Sequence, residues 1–214
     1  MISVTDAEPS VDDLRAKWDA RYRQSDRIPS PALVLSENRH LLPRSGEALD
    51  LACGLGENAL LLAEEGLLVS AWDLSPVAIE RLGREAAARG LTVSAQVRDV
   101  RTHPPAVDGF DVIVVAHFLD RVLAPAIAAS LRPGGLLFYQ TYTCEAVTEQ
   151  GPTSPAYRLA PNELLRLFPG LLIRCYREEG RLGDLSRGVR DLALLVGEQR
   201  AGLGAAEPGP LPSG

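Results

Sequence analysis

Apolar residues recur every three or four positions over residues 11–24, where Leu14, Trp18 and Tyr22 share one face, so the chain is expected to open with a short amphipathic helix. The prolines of Ile28-Pro29-Ser30-Pro31 end it, and a second short helix is expected over about 32–40. Beyond Pro43-Arg44-Ser45-Gly46 the pattern changes to short apolar runs alternating with helical periodicity. Strands are expected at about 48–52, 68–72, 91–97, 110–116 and 136–142, and helices at about 57–65, 76–89 and 122–131 between them. Gly66 and Gly90 fit helix ends, and Ser75-Pro76 supplies an N-cap followed by proline in the first turn. The nearly unbroken β-branched run Phe110–Ala116 has the composition of a strand buried on both faces of a parallel sheet. Residues 144–160 are long, polar and rich in Gly and Pro, the composition of a lid or of a loose insertion, and the lid is the favoured reading. A helix at 161–168 and strands at 171–178 and 191–197 follow, the last two forming an antiparallel hairpin at a sheet edge.

Five strands joined by helical crossovers predict an α/β fold: a doubly wound, Rossmann-like, mostly parallel seven-stranded sheet in a single domain, its C-terminal hairpin antiparallel. The domain is expected over residues 11–197, with 11–45 as a helical cap, 1–10 as a flexible N-terminus and 198–214 as a disordered tail. Composition agrees: 46% of the 214 residues are hydrophobic and 23% charged, enough for one sizeable core. A formal charge of −6 argues against a nucleic-acid partner. The cysteines at 53, 144 and 175 form no Cys-x-x-Cys pair, which suits a reducing cytoplasm. No stretch approaches the roughly 20 apolar residues that span a bilayer, so neither secretion nor a membrane partner is expected.

The chemistry concentrates where the first strand ends. Ala48-Leu-Asp50-Leu-Ala52-Cys-Gly54-Leu-Gly56-Glu-Asn58 carries an apolar run into closely spaced small residues and then a helix start. Glycines there admit positive φ and let a ligand lie against bare peptide, while free amides at the helix start suit a nucleotide-like ligand. The segment Gly54–Ala59 fits the Gly-x-Gly-x-x-Gly/Ala dinucleotide fingerprint, with Asp73 near the distance expected for a ribose acceptor. Asp50, however, would repel a pyrophosphate and attract a cation. Further candidates fall at other strand ends: Asp99 after the third, Ala116 and His117 after the fourth.

Motif I in the form Asp50-x-Ala52-x-Gly54-x-Gly56, with Trp72-Asp-Leu-Ser-Pro-Val-Ala-Ile79, Phe110-Asp-Val-Ile-Val-Val115, Leu131-Arg-Pro-Gly-Gly135 and Trp18-Asp-Ala-Arg21-Tyr22, resembles the class I S-adenosylmethionine-dependent methyltransferases. Within them it is most similar to the tellurite-resistance-protein-like branch, over about residues 15–178. The resemblance implies S-adenosylmethionine as cofactor and no metal. It places the methionine moiety on Asp50 and the loop of Ala52, Gly54, Gly56 and Asn58, and the ribose on Asp73 beside Leu74. Asp99 and Val100 then flank the adenine, and Ala116 is counted with them among the cofactor-binding residues. Family members often carry Arg where this chain has Glu57. The branch suggests a small acceptor, a chalcogen oxyanion or thiol-like compound.

A sulfonium methyl is already activated, so alignment and exclusion of water are the main demands. Should the acceptor carry a proton, His117 is the best-placed base. Arg121, Tyr142, Arg158 and the Arg21-Tyr22 pair are candidates to converge on it, with Tyr22 and Arg121 named beside His117 as catalytic. Two alternatives stay open: an NAD-binding oxidoreductase, weakened by Asp50 and by the lack of Tyr-x-x-x-Lys in a chain whose one lysine is Lys17, and a methyltransferase-fold binding protein without turnover. The oligomeric state is left open between monomer and homodimer.

Overall fold

A computed structural model describes residues 10–25 and 29–200. The chain begins with helix α1 (Val11–Arg23), capped by Ser10, whose hydroxyl accepts from the Asp13 amide at 3.2 Å while the Asp13 carboxylate accepts from the Ser10 amide. Ser10 is therefore a structured cap, and the rest of the expected flexible N-terminus, 1–9, lies outside the described residues. The expected helix at 32–40 splits into α2 (Leu33–Ser36) and a 3₁₀ turn (Arg39–Leu41). Asn38 marks the break: its side-chain amide donates to the Val34 carbonyl, standing in for a helical backbone bond.

The remainder alternates as β1 (Glu47–Leu51), α3 (Glu57–Glu64), β2 (Leu68–Asp73), α4 (Pro76–Ala88), β3 (Val93–Val97), β4 (Phe110–Ala116), α5 (Ala124–Ala129), β5 (Leu131–Tyr142), α6 (Glu163–Leu167), β6 (Leu172–Glu178) and β7 (Leu192–Glu198). The seven strands form one sheet in the order β3-β2-β1-β4-β5-β7-β6. β1 to β5 pair in parallel, whereas β7 is antiparallel to both β5 and β6.

Period-two alternation explains how one sheet serves two cores. Val112 and Val114 of β4 point to the face covered by α2, α3 and α4, with Leu35, Leu60, Leu62 and Leu82. Ile113 and Val115 point to the opposite face, against Ile127 of α5, Leu164 of α6 and Phe168. Every one of these residues is buried. A strand with apolar side chains on both faces fits only the middle of a covered sheet, and β4 lies there.

Several boundaries move for local reasons. β3 starts at Val93 because Gly90, at φ 69°, lets the Leu91 amide turn back to the Ala86 carbonyl and finish α4. α5 stops at Ala129, and Leu131 pairs with Phe110 as the first residue of a β5 longer than expected. The C-terminal pair does close the sheet, with the apolar β7 taking the inner place and the more polar β6 the edge. Glu198 still belongs to β7 and Gln199 exchanges backbone bonds with Gly134 and Gly135, so pairing runs past 197. Residues 201–214 of the expected tail lie outside the described ones. No described helix is long and apolar enough to cross a membrane.

Candidate functional site

At the carboxyl end of β1 the backbone turns left-handed three times, at Ala52 (φ 56°), Gly54 (φ 55°) and Gly56 (φ 84°). Ala52 carries a Cβ there, a strain on the order of 1 kcal/mol that the surrounding bonds must hold. They include the Cys53 amide on the Trp72 carbonyl and the Gly56 amide on the Cys53 carbonyl, both at 2.9 Å. The Asp73 carboxylate, at the end of β2, completes the clamp: one oxygen accepts from the Gly54 amide and the other from the Ser75 amide, each at 2.8 Å. One side chain thus ties the glycine loop to the start of α4. The lone pairs left over lie in the crevice between the two strand ends.

The N-terminal helix is locked over this crevice. Ser75, buried, caps α4 through the Ala78 amide and donates its hydroxyl to Asp19 of α1. Arg81 of α4 donates to the Ser25 carbonyl at 2.7 Å and to that of Tyr22. Tyr22, stacked on Trp18 with ring centroids 5.7 Å apart, brings its hydroxyl to 3.0 Å from where a Cβ on Gly54 would sit. Burial, then the Asp73 charge, push its pKa up, so the phenol keeps its proton. The crevice lies under this phenol. An open groove of about 410 Å³ sits instead at the amino ends of the strands, among Leu41, Pro43, Asp111 and Arg174.

Beneath the loop lies a nest of carboxylates. Asp50, 1% exposed, uses one oxygen to accept from the Ala59 amide in the first turn of α3 at 3.0 Å, and leaves Oδ1 buried without a partner. Glu57 Oε2 is buried and unpartnered in the same way. Burial raises the pKa of Asp50, Glu57 and Asp73 alike, and the Glu57 charge raises that of Asp50 further. Such a nest suits a ligand bringing a positive charge and N–H donors, as the ammonium and sulfonium of S-adenosylmethionine would, and disfavours a pyrophosphate. Asn58 bridges the nest to the N-terminal segment: its side-chain oxygen accepts from the Ala32 amide at 2.9 Å and anchors the entry to α2, while its side chain also bonds Asp50 and offsets part of the rise in that carboxyl's pKa.

The expected adenine side lies at the ends of β2 and β3. Leu74 is half-buried. The Asp99 carboxylate accepts from the Arg101 amide at 3.0 Å in the turn after β3, and Val100 is buried in the core cluster that holds Trp72. Arg98 lays its guanidinium 3.8 Å from the centre of the Trp72 ring and bonds the His103 and Pro104 carbonyls.

At the end of β4, Ala116 is half-buried and pairs with Gln140 of β5. His117 takes φ 57°, held by its amide on the Gln140 carbonyl at 2.8 Å, and so turns its ring toward Tyr142, centroids 5.1 Å apart. His117 keeps an exposed edge, and partial desolvation of its ring, then the Arg21 charge, lower its pKa, which favours the neutral imidazole at pH 7. Of the expected acceptor residues, His117 and Tyr142 come together, and the Arg21 charge is felt at the His117 ring from a guanidinium that lies 5.5 Å from the centre of the Trp18 ring. Arg121 does not join them: its guanidinium is committed to the Glu163 carboxylate at 2.6 Å and to the carbonyls of Ala156 and Arg158. In this arrangement Arg121 anchors the returning chain, because a surface guanidinium beside it finds acceptors for most of its fork.

Arg158 is spent likewise, on the carbonyls of Pro152, Thr143 and Gln150. Asp191 accepts from the Val147 and Thr148 amides and the Thr148 hydroxyl. Residues 144–160 therefore form a pinned flap beside Tyr142, which packs on Gly151. Burial would raise the Asp191 pKa, but the Thr148 hydroxyl and the two amides bring it below the usual carboxylate range. Its contribution is present above the unfolded value and is lost as pH falls through the folded one. Asp191→Ala is expected to raise the rate of proteolytic cleavage within 144–160 by about tenfold or more, as limited digestion followed by mass analysis would record.

Asp19, Gln140 and Asp191 escaped the sequence reading. Gln140 left a signal, a lone polar residue in an apolar strand; it accepts from the Val34 amide and fastens α2 to the sheet.

A family model described as a methyltransferase domain matches residues 48–135. A ubiquinone biosynthesis O-methyltransferase of Coxiella burnetii is 31% identical over 98 residues, 44% of this chain and 42% of that one. The chain spans 37–42% of the length of the curated relatives it matches. Among solved structures, one described for the conversion of a disulfide bond into a thioacetal group during echinomycin biosynthesis is 27% identical, with a TM-score of 0.67 over 88% of this chain and 93% of that one. TehB from Haemophilus influenzae shares the fold at 20% identity, with a TM-score of 0.65 over 86% of this chain and 67% of that one. Residues 48–135, with β1 to β4 and the start of β5, thus match a methyltransferase domain, set in a fold shared with these solved structures.

Proposed function

We propose that the protein is an S-adenosylmethionine-dependent methyltransferase acting in the cytoplasm on a small-molecule acceptor. The observation that carries this reading is the pair of orphaned carboxylate oxygens on Asp50 and Glu57 beside the left-handed loop that Asp73 clamps. In it, Asp73 with Leu74 holds the ribose, Asp50 and the loop of Ala52, Gly54 and Gly56 hold the methionine moiety, and Asp99 and Val100 border the adenine.

When bound, the cofactor supplies an activated methyl on a sulfonium. This chain's residues orient and enclose: Tyr22 covers the glycine loop from above, and the flap around Gly151 and Tyr142 shields the far side from water. His117, neutral at pH 7, takes a proton from a protic acceptor, and Arg21 offers a cation to an acidic group on it. The tellurite-resistance-protein-like branch that the motifs resemble supports a chalcogen oxyanion or thiol-like acceptor. The structural relative described for a disulfide-to-thioacetal conversion supports sulfur as the acceptor atom.

Calorimetry with S-adenosylhomocysteine and with NAD separates methyl transfer from oxidoreduction; uptake of NAD alone would overturn the proposal. Turnover against a panel of thiols and oxyanions separates an enzyme from a binding protein. For a protic acceptor, His117→Gln is expected to leave S-adenosylhomocysteine affinity unchanged and to lower kcat by about a hundredfold. The wild-type rate should climb with pH to a plateau, its inflection below the ordinary histidine value.

A further inference from the structure

We propose that Glu57 is a cofactor-binding residue of this chain, its carboxylate receiving the ligand's ammonium together with Asp50. The inference rests on the reading above and deepens it, naming the groups that would meet the cofactor's ammonium.

Glu57 is the first residue of α3, where an acid ordinarily interacts with the helix dipole from a solvated position. Here the side chain turns inward instead. Its Oε2 is buried and makes no hydrogen bond, and Asp50, 1% exposed, presents a second unpartnered oxygen. The charged and titratable groups that face the pair are Asp73 at the end of β2, Cys53 in the loop and the Tyr22 phenol of α1. No described cation bonds any of the three carboxylates Asp50, Glu57 and Asp73. Two buried acceptors without donors beside a clamped glycine loop are a costly arrangement for the protein alone. A primary ammonium, with three N–H donors and one positive charge, satisfies both oxygens and relieves the repulsion between them.

A comparison of two ligands isolates this role. S-adenosylhomocysteine carries the ammonium; 5′-methylthioadenosine keeps the nucleoside and sulfur but lacks it. Calorimetry on Glu57→Gln is expected to show about a tenfold or greater loss of affinity for S-adenosylhomocysteine, with 5′-methylthioadenosine held within about twofold of wild type. The ligand-free variant should melt no lower than wild type at pH 8, because an amide removes a carboxylate whose ionisation the fold resists. Unchanged affinity for S-adenosylhomocysteine, an equal loss for both ligands, or a lower melting temperature would each overturn the role of Glu57. Wild-type protein that takes up neither compound would instead overturn the methyltransferase reading itself.

Discussion

Asp73→Ala is expected to weaken S-adenosylhomocysteine binding by at least about a hundredfold and to lower the stability of the ligand-free protein by about 2–4 kcal/mol. Both effects have one source. The carboxylate holds the Gly54 and Ser75 amides at 2.8 Å from a site that is 6% exposed, so truncation strands two backbone donors where little water can reach them. Released from Asp73, Gly54 no longer has its left-handed turn fixed from below, and the cradle for the ligand loosens together with the ribose acceptor. Asp73→Asn separates the two losses. An amide oxygen can still accept from one backbone N–H, so more of the stability is kept, but the amide nitrogen meets the second donor and the ribose loses its charged acceptor. Calorimetry and urea unfolding read the two effects independently. Near-wild-type binding in Asp73→Ala would remove Asp73 from the cofactor site.

Gly56→Ala should be the most damaging glycine-to-alanine change among the described residues, at about 3 kcal/mol or more of stability. Gly54→Ala, two residues away, is expected to spare most of the fold and lose binding. A Cβ at position 56 would lie 2.3 Å from Leu82 Cδ1 and within 2.8 Å of two further Leu82 atoms, in a core where Leu82 is fully buried. That leucine cannot retreat without opening the packing of α4 on the sheet, and φ 84° adds backbone strain. At position 54 the new atom meets the Tyr22 hydroxyl at 3.0 Å, the end of a side chain on a separate helix that can yield by a few tenths of an ångström. What it does fill is the bare peptide surface on which the ligand is to lie. Chemical denaturation of both variants, with calorimetry on the one that folds, tests the division of labour. Equal stabilities would show that the α3–α4 contact is not the reason for glycine at 56.

The alternation of apolar runs, the β-branched composition of β4 and the spacing of Asp50, Gly54, Gly56 and Asp73 were enough to read a doubly wound sheet with a ligand crevice at its carboxyl edge, because each is a local pattern with a local cause. Helix ends were less legible. The break at Asn38, the return of Leu91 to Ala86 and the capture of Leu131 by Phe110 depend on bonds that compete with continuing the element, and such competition is decided by partners many residues away.

The arginines of the candidate site show the same limit. Composition offers Arg21, Arg121 and Arg158 as equal candidates for an acidic acceptor. Packing spends Arg121 and Arg158 on carbonyls and Glu163, and lays Arg21 over Trp18, where its charge still acts on His117. In this protein the order of side-chain types along the chain determined the fold class and the glycine loop, since periodicity and backbone freedom are written in neighbouring residues. Only the tertiary structure decided that Tyr22 closes over Gly54, that Asp50 and Glu57 share a buried nest, and that the 144–160 flap is fastened by Asp191. Those outcomes turn on which donors and acceptors remain unpaired after distant segments pack, and no local pattern carries that information.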